Sequence, residues 1–372
     1  MTSNATTPNA NTTSWDEKSQ QFHGGQDWLT LTNFVEDFSV TTNALGTPRP
    51  ALEAARQAVN LCDHYPPANQ EPAKSSLARF LWPEQWATNH GRLLLGNGAS
   101  ELIDLVVRTA PAGPWKPGPF RVQYKEYQRS AQAHQRPVLD STDPSQAAIA
   151  CIVNPCNPTG DYKPLSELKQ WIESNVQPGG YAVIDESMQP WHSPQFRQDS
   201  LTSQTEYVAQ LYHQKKISVF VIHSWTKLWC CTGIRLGSIV CPTAEHCLAL
   251  KKVQVPWSVN CVALAFLDRV AQDQEYLDDT WRLTSQWREH TVTQLHDTFP
   301  QWKCYGESFL SWVWVDTQDR TVSEKAVNLA RAAGVPVRSG QPGYEMPTFV
   351  RIAVRSPEKL QMLLKAWEPL LN

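Results

Sequence analysis

Short apolar runs alternate with amphipathic segments along most of this chain. "RLLLG" reads as a strand, the loop "NGAS" follows it, and "ELIDLVVRTA" reads as a helix. "AIACIVNP" is a second strand, and "PLSELKQWIESN" is a helix with Leu165, Leu168 and Ile172 on one face. "YAVIDE" and "ISVFVIHS" are further strands rich in β-branched residues, and "LGSIVC" closes the series. Such alternation predicts a mostly parallel sheet covered by helices on both faces. Upstream, "ALEAARQAVNLCDHYPP" reads as a helix stopped by prolines, while "VQPGG" and "PAGPWKPGP" read as surface connections.

Past about Val255 the pattern changes. One long helical stretch, "NCVALAFLDRVAQDQEYLDDTWRLTSQWREHTVTQL", leads to short strands in "SFLSWVWVD" and "FVRIAVR". The last helix, "SPEKLQMLLKAW", has Ser356 as N-cap, Pro357 in its first turn, and Leu360, Leu363, Leu364 and Trp367 on one face. The expected division is a large domain over 51–255 and a smaller α+β domain over 256–372. The turn-rich segment 21–50 is expected to pack on the smaller one. "MTSNATTPNANTTSW" is polar and nearly free of charge, so residues 1–20 are read as a disordered arm. The arm lacks an apolar core or arginines, so it is neither a secretory signal nor a mitochondrial presequence.

Composition narrows the function classes. The net charge of −3 argues against a general nucleic-acid binder. No apolar run reaches membrane-spanning length. The cysteines number 9, without a CxxC pair, which disfavours zinc and a disulfide framework and suits a reduced, cytoplasmic protein. The 16 tryptophans read as extra core and interface packing.

Chemistry gathers at the strand ends, where open α/β sheets bind ligands. "GNGAS" follows the first strand, "NPCNPTG" the second, "DES" the third and "HSWTK" the fourth. Each alone is a turn, a cap or a solvated lysine; their order on one sheet edge is the signal. The amides near Ala99 and Ser100 open a helix and would face an anion. Glu101 stands where a dinucleotide fingerprint has its third glycine, so a single-phosphate cup is favoured, closed by Ser224 and Arg235. An acid at Asp185, a lysine at Lys227 and a monophosphate cup together suggest pyridoxal phosphate, which needs a Schiff-base lysine and a carboxylate against its ring nitrogen.

With these residues in view, "SWTKLWCCTGIRLG" resembles the lysine signature of fold-type I pyridoxal-phosphate enzymes of the aminotransferase class, and "NPCNPTG" and "VIDES" match in order. "HGG" at 23–25 with "DFSVTTNALGTP", and "FVRIAVRSPE", are similar to threonine-phosphate decarboxylases of cobalamin synthesis, relatives of histidinol-phosphate aminotransferases. The resemblance implies that Lys227 bonds the cofactor, Asp185 pairs with its ring nitrogen, Asn157 bonds the ring hydroxyl and Tyr124 stacks on the ring. It implies that Ala99, Ser100, Ser224 and Arg235 hold the cofactor phosphate. Tyr65 resembles the tyrosine that reaches a neighbouring subunit's cofactor, hence an expected homodimer. Arg351 would bind the substrate carboxylate, and His23, Asn43, Arg338 and Arg355 are candidates for the remainder of a small phosphorylated amino acid. Met188 departs from the family: its aminotransferases usually carry a tyrosine there. Threonine phosphate leads as substrate, with serine phosphate close by. A histidinol-phosphate-type aminotransferase and a non-catalytic protein on the same fold are the alternatives.

Overall fold

The computed structural model describes residues 23–341 and 343–371. The arm expected over 1–20 lies outside the described residues.

Six strands form the larger sheet: β1 (Leu93–Asn97), β2 (Trp115–Pro117), β3 (Ala147–Val153), β4 (Val176–Asp185), β5 (Ser218–Ser224) and β6 (Leu236–Val240). Their order is β1-β6-β5-β4-β3-β2. The pairs β2–β3, β3–β4 and β4–β5 are parallel, while β6 runs antiparallel to both β1 and β5. All of β3 is buried, as its unbroken apolar run requires in a sheet covered on both sides. Alternate residues serve opposite faces. Ile152, Ile184 and Val221 join one apolar cluster; Cys151, Val183 and Ile222 join another.

The helices Arg49–Ala58, Ala73–Leu81 and Leu165–Asn175 cover the first face, and Gly98–Thr109, Glu126–Ala133 and Ala244–Val253 the second. Two stretches read as connections are strand. "VQPGG" extends β4 backwards, with a register shift opposite Ala147–Ile149. Within "PAGPWKPGP", Trp115–Pro117 is the three-residue edge strand β2, a position that tolerates proline.

The long helical stretch is two helices, Cys261–Val270 and Gln274–Thr298. Asp273 accepts the Tyr276 N–H at 3.1 Å and caps the second. Ala263, Phe266 and Leu267 of the first bury themselves with the large-sheet core. That helix therefore packs with the larger sheet, although the sequence pattern changes before it.

A smaller antiparallel sheet follows: β7 (Lys303–Tyr305), β8 (Trp312–Asp316), β9 (Arg338–Ser339) and β10 (Phe349–Ala353), in the order β7-β8-β10-β9. The helices Arg320–Ala332 and Pro357–Trp367 close its core. Ser356 precedes the last helix without making a side-chain cap bond. The N-terminal segment lies on this unit: Phe38 is in its core, and Ala353 N–H donates to the Phe38 carbonyl at 2.9 Å.

Candidate active site

The pocket forms where strand ends meet. Asp185 ends β4, Ser224 ends β5, and Asn157 lies in the turn after β3. Because β6 is antiparallel, its beginning lies at the same edge, and Arg235 stands just before it. Thr41, Ala99, Ser100, Tyr124, Val153, Asn157, Asp185, Ser187, Met188, Ser224, Thr226, Lys227 and Arg235 line about 570 Å³ of atom-free space, mouth included.

The anion cup is built from backbone and one guanidinium. Gly98 opens its helix at φ +75°, and its N–H donates to the Arg235 carbonyl at 3.1 Å. A Cβ at Gly98 would lie 2.3 Å from Arg235 Nη2, so glycine lets the guanidinium come to the helix start. Asn97 makes no side-chain cap bond, and the first amides of a helix have no intrahelical acceptor. Ser224 and Thr226 hydroxyls lie 2.8 Å apart beside them. This donor set fits a phosphate monoester.

Lys227 lies on a single turn, Trp225–Leu228, wedged by tryptophans. Trp225 stacks on His223 at 4.7 Å and on Trp229 at 5.0 Å, and its indole N–H donates to Ser238 Oγ at 2.8 Å. Burial, then the cations Arg351 and Arg235, push the Lys227 amine down to about 8, partly offset by Cys231 and Asp185. A larger share of it is thus neutral, and nucleophilic, than of an ordinary lysine. Burial raises Asp185, opposed by hydrogen bonds from Ser187 and Tyr127 and by the charge of Lys227. Burial also raises the phenol of Tyr124, which lines the pocket.

Of the expected cofactor-site residues, the structure brings Ala99, Ser100, Tyr124, Asn157, Asp185, Ser224, Lys227 and Arg235 to one pocket. Arg351 adjoins them: one Nη donates to Asn157 Oδ1, the other to the Ser39 carbonyl, while its Nε has no hydrogen-bond partner among the described residues. Arg338 is its neighbour across β9 and β10. His23 Nε2 lies 2.8 Å from Glu126 Oε1, with its ring 5.7 Å from that of Tyr124.

Two candidates are turned onto backbone. Asn43 bonds the Leu228 carbonyl at 3.0 Å and Thr280 Oγ1 at 2.7 Å, bracing the lysine turn. Arg355 pairs with Glu36 at 3.0 Å and donates to the carbonyls of Asp37, Val40 and Thr42, clamping the N-terminal segment. Tyr65 is 78% exposed and stacks on Trp257, away from this pocket. The residues not singled out beforehand are Thr41, Val153, Ser187 and Thr226, which line the pocket, and Tyr127, which donates to Asp185. Tyr127 had one visible signal: it stands three residues after Tyr124 at the start of a helix.

The geometry thus gathers a donor cup fit for a phosphate, a buried lysine amine and a buried carboxylate at one pocket. The chain belongs to the aminotransferase class I and II family, whose description matches residues 35–366. It is 27% identical over 348 residues to histidinol-phosphate aminotransferase 2 of Pseudomonas aeruginosa, covering 87% of this chain and 86% of that one. In fold it is similar to the histidinol-phosphate aminotransferase of Sinorhizobium meliloti, solved in complex with pyridoxal 5′-phosphate (TM-score 0.76, 17% identity, 91% of each chain). It is also similar to the L-threonine-O-3-phosphate decarboxylase of Porphyromonas gingivalis (TM-score 0.73, 17% identity, 91% of this chain and 99% of that one). Its cofactor is pyridoxal phosphate, and its architecture is the α/β fold-type I arrangement. Among the described residues no helix is long and apolar enough to cross a membrane, and no cluster of His, Cys, Asp and Glu could hold a metal.

Proposed function

We propose that this enzyme decarboxylates L-threonine O-3-phosphate to (R)-1-aminopropan-2-yl phosphate, as in cobalamin synthesis, with L-serine O-phosphate as the close alternative substrate. The carrying observation is a second cationic centre distinct from Arg235. Arg351 and Arg338 are buried neighbours, and burial, together with the Arg338 charge, pushes Arg351 down to about 10. Two neighbouring guanidinium groups favour a substrate with more than one negative charge.

Pyridoxal phosphate, when bound, supplies an electron-accepting ring conjugated to the substrate's reacting carbon. The protein's part is to choose the bond that breaks. Arg351 takes the substrate carboxylate, and Arg338 with His23 takes its phosphate. Lys227 supplies the amine and afterwards carries the proton to the reacting carbon. Met188 lines the pocket where the family's aminotransferases usually carry a tyrosine, so this position offers no hydroxyl, which weakens the case for ordinary transamination. Arg355 and Asn43 take no direct part in this reading; they hold the segment and the turn that shape the pocket.

A histidinol-phosphate-type transamination is the second reading, favoured by the sequence relatives. Holoenzyme given O-phospho-L-threonine alone separates the two. Release of CO₂ without a keto acid supports decarboxylation. Turnover only with 2-oxoglutarate present overturns it. A homodimer is part of the proposal: Tyr65 and Trp257 stack on each other while exposed, and Val59, Leu61 and Val255, near them in sequence, are exposed as well. The free cysteines suit a cytoplasmic setting.

A further inference from the structure

Asp185 is deeply buried, and the bonds that keep it usable come from two residues outside the expected set. The phenol of Tyr127, itself fully buried, donates to Asp185 Oδ2 at 2.9 Å. The other oxygen, Oδ1, accepts the Ser187 N–H at 2.9 Å. Ser187 Oγ in turn accepts the Ser224 N–H at 2.7 Å. A hydrogen-bonded path therefore runs from the acid to the strand end that carries the phosphate cup and, three residues on, Lys227.

We propose that Tyr127 and Ser187 are positioning residues that keep Asp185 ionised and aimed at the cofactor's ring nitrogen. A buried carboxylate without donors takes up a proton and loses its charge-assisted bond to a protonated ring. Desolvation already pushes Asp185 in that direction, and the Ser187 and Tyr127 bonds are the first factors opposing it, ahead of Lys227. Tyr127 is a dependable donor, because burial and the Asp185 charge hold its proton well above the ordinary phenol range. The other titratable groups facing Asp185 are Tyr124, Cys151, Cys156 and Glu186. Burial raises Tyr124, both thiols to about 12 and Glu186 to about 7. Below that pH none of the four competes as an anion.

The inference rests on the cofactor and not on the choice of substrate. Its test is binding to the full chain freed of cofactor, followed by absorbance and tryptophan fluorescence. The two ligands are pyridoxal 5′-phosphate and its 1-deaza analogue, in which a C–H replaces the ring nitrogen. Tyr127→Phe keeps the ring in the core and removes one hydroxyl. It is expected to weaken pyridoxal phosphate about tenfold, as for loss of one hydrogen bond to a charged group, and the analogue less than about twofold. Ser187→Ala keeps the N–H bond to Asp185 but removes the side chain that ties it to the Ser224 N–H; it is expected to show a smaller selective loss of the same sign, and it reports independently if Tyr127→Phe fails to fold. Equal losses for both ligands, or no loss for either, would overturn the proposal. Wild-type protein unable to bind pyridoxal phosphate would overturn the cofactor assignment as well, which separates the two failures.

Discussion

Two buried groups beside the site, Glu186 and His223, show how burial sets protonation residue by residue. The Glu186 carboxyl accepts from Ser200 Oγ and from the Leu201 N–H, and His223 Nε2 lies 3.8 Å from it. Burial raises Glu186 from 4.5 to about 7 and lowers His223 from 6.5 to about 3. Folded protein therefore keeps the Glu186 proton where the unfolded chain has released it. The resulting stability is complete below about pH 4.5 and is lost as pH rises through about 7. His223 acts in the opposite sense, costing stability as pH falls from 6.5 towards 3, so above about pH 6.5 the Glu186 contribution dominates this pair. In Glu186→Gln the fall in melting temperature between about pH 6.5 and 7.5 is expected to flatten. A wild-type-like slope in the variant would contradict the assignment.

Among the elements, the short turn Trp225–Leu228 depends most on packing. A one-turn helix has little stability of its own. Here Phe80 meets Trp225 and Trp229 edge-on at 5.6 and 5.5 Å, so aromatic packing fixes the turn that carries the lysine. Trp225→Ala is expected to cost about 3–5 kcal/mol, read as a lowered denaturation midpoint. Cofactor retention should fall with it; retention and stability both at wild-type level would contradict the wedge. The elements also show what the sequence could and could not tell. β3, β4 and β5 were legible because buried parallel strands are unbroken apolar runs, and the pocket followed from the polar clusters at their ends. The edge strand Trp115–Pro117 was hidden by its flanking prolines, and β9 is only two residues long. The helix break before Gln274 depended on one capping aspartate within a polar run. Asn43 and Arg355 are residue types that suit a ligand, and only the folded backbone shows that carbonyls occupy them.

For the molecule as a whole, the N-terminal segment joins the two sheets. Phe38 enters the smaller core, while Asn43 N–H donates to the Lys227 carbonyl at 3.0 Å and Thr47 Oγ1 to the Cys230 carbonyl at 2.6 Å. The pocket is thus roofed by chain anchored on both units. The exposed Tyr65–Trp257 stack extends the same logic to a second copy, whose pocket Tyr65 would complete. Trp257→Asp is expected to shift the protein to monomer in sedimentation velocity and to weaken cofactor binding. An unchanged sedimentation coefficient would show that this patch is not the interface.

The central claim is a covalent one: the Lys227 amine, buried and depressed to about 8 by its surroundings, is the group that bonds the cofactor aldehyde. The most direct measurement is reduction of the pyridoxal phosphate-saturated protein with borohydride, then peptide mass spectrometry. The account predicts one phosphopyridoxyl adduct per chain, on the peptide containing Lys227, absent from Lys227→Ala. An adduct on another lysine in the folded protein, or none at saturation, would contradict it.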